Sequence, residues 1–219
     1  MNREIIMTAL FNTLTAPPLV FAFTADTTTG SAELANVSDA TGLMVGMPVA
    51  GDGVPAEAVI ATLTPTVTLS LPADADRTAT PLLQGFQTTS RRLRDAAAEQ
   101  DMPALYLVEL NELHPYRGSA APLLVELNTE AWIYTKVGAE ENATPAAMLN
   151  TLIDCIERAL YPPSDHAGGR RQNLGLHGVQ YCRIEGEVQK DPGHNAQLAM
   201  AVIPIKIAVA QHIDTYAYP

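Results

Sequence analysis

The first fifteen residues carry apolar side chains at a helical period. Apolar residues recur at every fourth position, at Ile6, Leu10 and Leu14, and therefore share one side of the predicted helix. This spacing is typical of a short amphipathic helix that buries one stripe. Asn2 can cap the first turn, and Pro17 and Pro18 end the helix. The pattern therefore predicts a helix over residues 2–15.

Between Thr24 and Gly85 the period of the apolar positions changes from helical to strand-like. In the stretch "TVTLSL" Val67, Leu69 and Leu71 alternate with Thr and Ser, and "SAELANV" and "AVIAT" alternate less regularly. Gly and Pro turns separate these short runs, which is typical of a small all-β unit. The pattern predicts an inserted β-rich domain, either Ig-like or a small β-sandwich.

After Gly85 the stretches in which apolar and polar residues alternate become longer. The stretch "SRRLRDAAAEQDMPALYLVELNE" predicts a strand, a polar connection and a second strand centred on residues 105–110. In "LLVELNTEAWIYTKV" one face carries the apolar residues Val125, Leu127, Ala131 and Ile133. The other face carries the acidic residues together with Trp132 and Tyr134. This pattern predicts a long, half-buried strand.

The last third of the chain predicts one helix and a closing pair of strands. In "ATPAAMLNTLIDCIERALYPP" Thr144 supplies a cap, Pro145 suits the first helical position, and two prolines stop the helix. The stretches "GVQYCRIEGEVQ" and "AQLAMAVIPIKIAVA" alternate and are separated by the turn-forming "KDPGHN". They predict an antiparallel hairpin.

The order of these elements predicts the α+β class. We expect a mainly antiparallel sheet that helices cover on one face, with the small all-β domain inserted after the first helix. The predicted division assigns residues 1–23 and 86–219 to the α+β domain and residues 24–85 to the insert.

Composition narrows the classes of function. Of the 219 residues 47% are hydrophobic and 17% are charged, which suits a globular chain with a proper core. The formal net charge of -11 argues against tight, sequence-independent binding to nucleic acid. No apolar run approaches the roughly 20 residues that cross a bilayer. The two cysteines, Cys155 and Cys182, suit a reducing compartment. We expect a soluble protein made in the cytosol, with no membrane partner.

No motif specifies an enzyme. The five histidines lack metal-ligand spacing, and no phosphate-binding loop or nucleophile elbow occurs. Both cysteines fall on predicted apolar faces, as expected of inert core thiols. The sequence therefore predicts no catalytic residue, no metal and no cofactor.

Two arginine clusters and two pairs of glutamates remain as candidate surface residues. In "RRLR" Leu93 can point into the core while Arg91, Arg92 and Arg94 pair with carboxylates. Arg170 and Arg171 lie in "HAGGRRQNLG", which is either a plain flexible loop or a contact to a neighbouring subunit or to DNA phosphates. The acidic pairs on polar strand faces are Glu126 with Glu130, and Glu185 with Glu187.

With the insert removed, the order of motifs resembles the tail terminator (tail completion) proteins of long-tailed bacteriophages. The matching stretches are "MNREIIMTALFNTL", "FQTTSRRLRDAAAEQDMPALYLVELNE", "LLVELNTEAWIYTKV", "TPAAMLNTLIDCIERAL" and "AVIPIKIAV". The insert, with "NVSDATGLMVGMPVAGDGVP" followed by "TVTLSL", looks like a small β module of phage structural proteins.

The resemblance implies a virion structural protein in the neck region of the tail, assembled in the host cytoplasm. Such proteins form a homo-oligomeric ring, typically a hexamer, that caps the head-proximal end of the tail tube and stops its polymerisation. The expected partners are the tail tube protein and the head-tail connector or neck protein, and double-stranded DNA passes through the lumen. The candidate lumen residues are Glu126, Glu130, Glu185 and Glu187, with Arg170 and Arg171 as loop contacts.

Other functions stay open at this point. Neck or head-tail connector components and minor tail-tube proteins have related ring-forming folds. A cytosolic binding module or an enzyme with an unrecognised site belongs to a different class. A ring visible in solution separates the virion proteins from that class.

Overall fold

The computed structural model describes residues 2–15, 19–41, 43, 45–55, 58–95, 102–114, 123–136, 147–161, 172–191 and 198–211. The N-terminal helix, α1 (Arg3–Thr15), confirms the predicted one. Its first turn is capped because the Glu4 N–H donates to Asn2 Oδ1 at 2.9 Å. Its buried side consists of the predicted stripe together with Met7.

Six strands follow and pair in a closed circuit within the chain. They are β1 (Phe21–Thr27), β2 (Glu33–Leu34), β3 (Val49–Gly51), β4 (Ile60–Thr62), β5 (Val67–Leu69) and β6 (Arg77–Gln84). One three-stranded sheet has the order β1-β6-β3 and the other has the order β2-β5-β4. Antiparallel bridges join Asp26 to Ala35 and Pro48 to Val59. Since these bridges link β1 to β2 and β3 to β4, the strands close into a small barrel.

The barrel has its own apolar core, and its two connecting segments lie side by side. Nine buried residues form this core, among them Phe23, Ile60 and Leu82. The strands that enter and leave the barrel pair with each other, with Phe21 opposite Gln84. A Cβ at Gly85 would overlap the backbone of Leu19, so the two connecting segments touch where they leave the barrel.

The remaining strands form one large sheet. They are β7 (Thr88–Ser90), β8 (Ala104–Leu113), β9 (Leu123–Lys136), β10 (Val179–Ile184), β11 (Gln189–Asp191) and β12 (Leu198–Gln211). The order is β10-β12-β9-β8-β7, and β11 also pairs with β12. All pairs are antiparallel except β7 with β8. The predicted closing hairpin is confirmed, and β12 also pairs with β9 along its whole length.

Helix α2 (Ala147–Leu160) shares one core with α1 and one face of this sheet. Its buried side includes Leu149, Leu152 and Ile156. The predicted cap at Thr144 and Pro145 lies outside the described residues. The long-strand prediction is confirmed by β9, whose residues Val125, Leu127, Ala131 and Ile133 face this core.

A proline stands in the middle of β12, which has neighbours on both sides. Pro204 lies opposite Glu130 of β9, and on its other side β10 has ended and β11 has not begun. The Pro204 carbonyl accepts from the Glu185 N–H at 3.1 Å. Gly186, with φ at +135°, leaves room for the proline ring, which would lie 2.9 Å from a Cβ there. The break between β10 and β11 therefore accommodates a residue that cannot donate to a ladder.

The predicted fold class was wrong. The chain is mostly β, with 49% strand and 16% helix, several sheets and two helices among the described residues, and is not an α+β fold with helices covering a sheet face. The barrel adds strands only, and β8, β9 and β12 are long. These strands contain more residues than the two helices. The division at residues 24 and 85 stays a prediction.

No helix in the described ranges combines the length and the apolar character that a membrane span requires.

Candidate interaction surface

One face of the large sheet carries a row of polar side chains across four strands. Arg183 of β10 lies opposite Lys206 of β12, which lies opposite Asn128 of β9. Directly opposed residues of antiparallel strands share a face. The row continues to β8, because Asn128 Nδ2 donates to Asn111 Oδ1 at 3.0 Å. This face is opposite to the one that contributes to the main core.

Glu185 connects the two cations of this row. Lys206 Nζ lies 2.5 Å from Glu185 Oε1 and 3.5 Å from Glu126 Oε2. Arg183 Nε donates to Glu185 Oε2 at 2.8 Å, and its guanidinium lies 4.4 Å from the centre of the Tyr181 ring. We call the set of Glu126, Arg183, Glu185 and Lys206 the charged cluster.

The charged cluster is half-buried, which strengthens the attraction between its opposite charges. The side chains of Lys206, Glu126 and Glu185 are 23%, 16% and 34% exposed. The hydrogen bonds from Lys206 and Arg183 lower the pKa of Glu185. The hydrogen bond to Glu185 raises the pKa of Lys206. Both groups are therefore charged throughout the neutral range.

Two of the predicted lumen residues are thus brought together and two are not. Glu126 and Glu185 both contact the ammonium group of Lys206. Glu130 lies further along β9 and accepts a hydrogen bond from Trp132 Nε1 at 2.9 Å. Glu187 is exposed in the connection between β10 and β11.

An aromatic cluster occupies the other end of the same face. Its buried members are Ala104, Tyr106 and Tyr134, and the two tyrosine rings lie 5.6 Å apart. Trp132 packs against them. The sequence pattern assigns Tyr134 to a polar face, but its side chain is buried in this cluster, and its hydroxyl donates to the Arg94 carbonyl at 3.5 Å. This burial raises the pKa of Tyr134.

Arg91 joins α1 to β8. Its guanidinium forms ion pairs with Glu4 of α1 and Glu109 of β8. A third ion pair joins Arg3 of α1 to Glu112 of β8, where Arg3 Nη2 donates to Glu112 Oε2 at 2.8 Å. Hydrogen bonds from these arginines lower the pKa of Glu4 and of Glu112. The prediction that the "RRLR" arginines pair with carboxylates is confirmed for Arg91.

The other predicted arginines differ from Arg91. Arg92 donates its backbone N–H to Ser90 Oγ at 3.0 Å, and Arg94 accepts the Tyr134 hydroxyl through its carbonyl. Leu93 is 38% exposed, so the suggestion that it points into the core was wrong. Arg170 and Arg171 lie outside the described residues.

The cysteines are buried. Cys155 contacts Met47 with 3.2 Å between the two sulfur atoms, and burial raises its pKa. Burial raises the pKa of Cys182 to about 12. In the part of the chain that the structure describes, no group of three or more His, Cys, Asp or Glu residues could hold a metal ion.

Sequence reasoning identified Arg91 but missed three other cations that organise these surfaces, Arg3, Arg183 and Lys206. Lys206 interrupts the apolar run "IPIKIAVA", and a lysine there points to the solvent-facing side of a strand. Its partners depend on the register of three strands. Arg3 and Glu112 are separated by 109 positions, so no local pattern connects them.

No family model matches the chain, and no curated protein matches its sequence.

Proposed function

We propose that this protein is a tail terminator of a long-tailed bacteriophage. In this proposal copies of the chain form a closed ring, typically a hexamer, on the head-proximal end of the tail tube. The ring stops tube polymerisation and offers a surface to the head's connector. The order of sequence motifs given above suggests this function.

The observation that carries the proposal is the difference between the two faces of the large sheet. One face contributes Val125, Ile133 and Ile205 to the main core. The other face carries the charged cluster and the row that ends at Asn111. A sheet that is apolar on one side and charged over one end of the other suits a ring wall, because one face can hold the subunit together while the charged end of the other faces a wet lumen.

The charge of this face suits passage of DNA. Glu126, Glu130 and Glu185 belong to it, and the cations Arg183 and Lys206 are engaged by Glu185. Engaged cations are less available to phosphates, and the one carboxylate by which the three glutamates exceed the two cations repels phosphates. We therefore propose that this face lines the lumen and lets DNA slide without being held.

The barrel has a separate task in this proposal. Its entering and leaving strands pair at Phe21 and Gln84, and the Met47 side chain fixes it to the main core beside Cys155, so the subunit carries it as one body. We assign it to the outside of the ring as a spacer or decoration. Contact with a neighbouring tail protein or with the host surface is the more specific alternative.

Inactivating the gene in the phage that encodes it tests this function. Loss of a terminator leaves the tail tube free to keep growing, so electron microscopy would show overlong tails without heads. Loss of a connector would instead give tails of normal length that fail to join heads. Tails of normal length would therefore contradict the terminator proposal.

A further inference from the structure

Among the described residues, the outer edge of β8 has a partner strand over less than half of its length. β7 pairs only with Ala104, Leu105 and Tyr106. From Leu107 to Leu113 the strand pairs with β9 on one side, and no described strand pairs with it on the other. Unpaired strand edges are templates for pairing with another chain, and proteins usually protect them.

Exposed apolar side chains lie on β8 and on the elements that are joined to it. Five large hydrophobic side chains are exposed among the described residues: Ile5, Val45, Leu93, Leu110 and Leu113. Four of them, all except Val45, lie on α1, on the segment after β7 or on β8. The ion pairs of Arg91 and Arg3 tie these same three elements together. We call the outer edge of β8 with these four residues the β8 edge.

The β8 edge is nearly neutral in a strongly acidic chain. The chain has a formal net charge of -11, yet Glu4, Glu109 and Glu112 are paired here with two arginines, Arg91 and Arg3, so these five side chains carry a net charge of only -1. Two copies of an acidic protein repel each other unless they meet at a locally neutral surface. A nucleic acid would need unpaired cations. The charge pattern therefore favours a second copy of this chain.

We propose that the β8 edge binds a second copy of this chain by edge-to-edge strand pairing. The backbone groups of residues 107–113 supply the hydrogen bonds, and Leu110 and Leu113 supply the apolar contact. This inference rests on the proposed ring, for which it names a subunit contact. Repetition of such a contact between unlike edges closes a ring.

A pair of charged variants tests the contact. Leu110→Glu with Leu113→Glu adds two charges to the edge, and Val45→Glu adds one charge at a side chain that is equally exposed, at 54%. Sedimentation velocity over a concentration series measures self-association of both variants and of the wild type. We expect the double variant to associate at least about tenfold more weakly, which corresponds to ~1.4 kcal/mol. Val45→Glu should associate like the wild type.

The outcomes separate this inference from the proposed function. A wild-type oligomer that the double variant retains would overturn the β8 contact and leave the ring proposal intact. Equal loss of self-association in both variants would also overturn the β8 contact, because the effect would not be specific to this edge. A wild type that stays monomeric at every concentration would overturn both proposals.

Hydrogen exchange on the wild type provides a second measurement that does not depend on the variants folding. The amides of residues 107–113 should exchange more slowly in the concentrated, associated protein than after dilution. Amides of the exposed turn at Asp52 and Gly53 serve as the internal control and should not change. Equal exchange of residues 107–113 in both states would contradict the proposal.

Discussion

Met47 and Cys155 touch through their sulfur atoms at 3.2 Å, although 108 positions separate them in the sequence. The backbone of Met47 belongs to the barrel, since its carbonyl accepts from the Ile60 N–H at 3.0 Å. Its side chain is fully buried in the main core. The neighbouring Gly46 fits closely, because a Cβ there would lie 2.9 Å from Thr151 Cγ2. The barrel is therefore anchored to α2 as well as through its two connecting strands.

Met47→Ala should destabilise the main core although the substitution lies within the insert. Removing a fully buried methionine leaves a cavity beside Cys155 and costs about 2–5 kcal/mol. Chemical denaturation measures this loss, and hydrogen exchange should show faster exchange in α2. Leu69→Ala is the control, because Leu69 is buried in the barrel core alone, and it should leave α2 exchange unchanged. A Met47→Ala protein with wild-type exchange in α2 would refute the anchoring role.

Ala79→Gly should leave the protein as stable as the wild type or more stable. Ala79 has φ at +48°, a left-handed conformation that costs a residue with a side chain about 1 kcal/mol or more. Its N–H donates to Asp26 Oδ1 at 2.6 Å, so a glycine can keep that hydrogen bond. Ala61→Gly, at an exposed position of β4, is the control and should cost ~0.5–1 kcal/mol. Thermal unfolding compares the two variants, and an equal loss in both would contradict the prediction.

Glu185→Gln should lower the melting temperature at neutral pH by an amount that disappears in acid. Lys206 and Arg183 lower the pKa of Glu185 below its usual 4.5. The ionised form therefore stabilises the fold above pH 4.5, and this contribution is lost as the pH falls through the lowered pKa. The pKa of Lys206 is raised above 10.5, so its contribution is lost only in strong alkali.

Melting curves from pH 7 to pH 3 on the wild type and this variant measure the difference. Glu187→Gln is the matched control, since Glu187 is exposed two residues further on. A difference between the wild type and Glu185→Gln that stays constant down to pH 3 would show that the carboxylate is not held by these cations.

Neither cysteine should react with a thiol reagent in the native protein at pH 8. Both are buried, and burial raises the pKa of each thiol, that of Cys182 to about 12. The thiolate is the reactive form, so reaction requires opening of the fold. A spectrophotometric thiol assay should detect no fast-reacting group in the native protein and two after denaturation. Rapid native reaction of either thiol would contradict the buried environment.

Elements with a clear local period could be predicted from the sequence. The stripe of α1 and the alternation of β9 and of β12 each extend over ten or more residues, and all three elements are found. The overall class could not be predicted in the same way. Strands of two or three residues, such as β2 and β3, are too short to show a period. The barrel closes through the Asp26 and Pro48 bridges, which are contacts between distant residues.

The candidate site was predictable only where one strand determines a side chain's face. Glu126 and Glu185 could be assigned to polar faces by alternation, but their joint contact with Lys206 depends on the register of β9, β10 and β12. For Tyr134, alternation along the strand gives the wrong environment. Its alternation is that of a polar face, and its burial comes from packing against side chains of neighbouring strands, such as Tyr106 of β8.

Direct imaging of the purified protein, combined with a mass measurement in solution, is the sharpest test of the ring. The account predicts closed rings of uniform subunit number by negative-stain microscopy and a matching multiple of the 23.4 kDa chain mass. A single 23.4 kDa species with no ring, even at high concentration or in the presence of tail tubes, would contradict it.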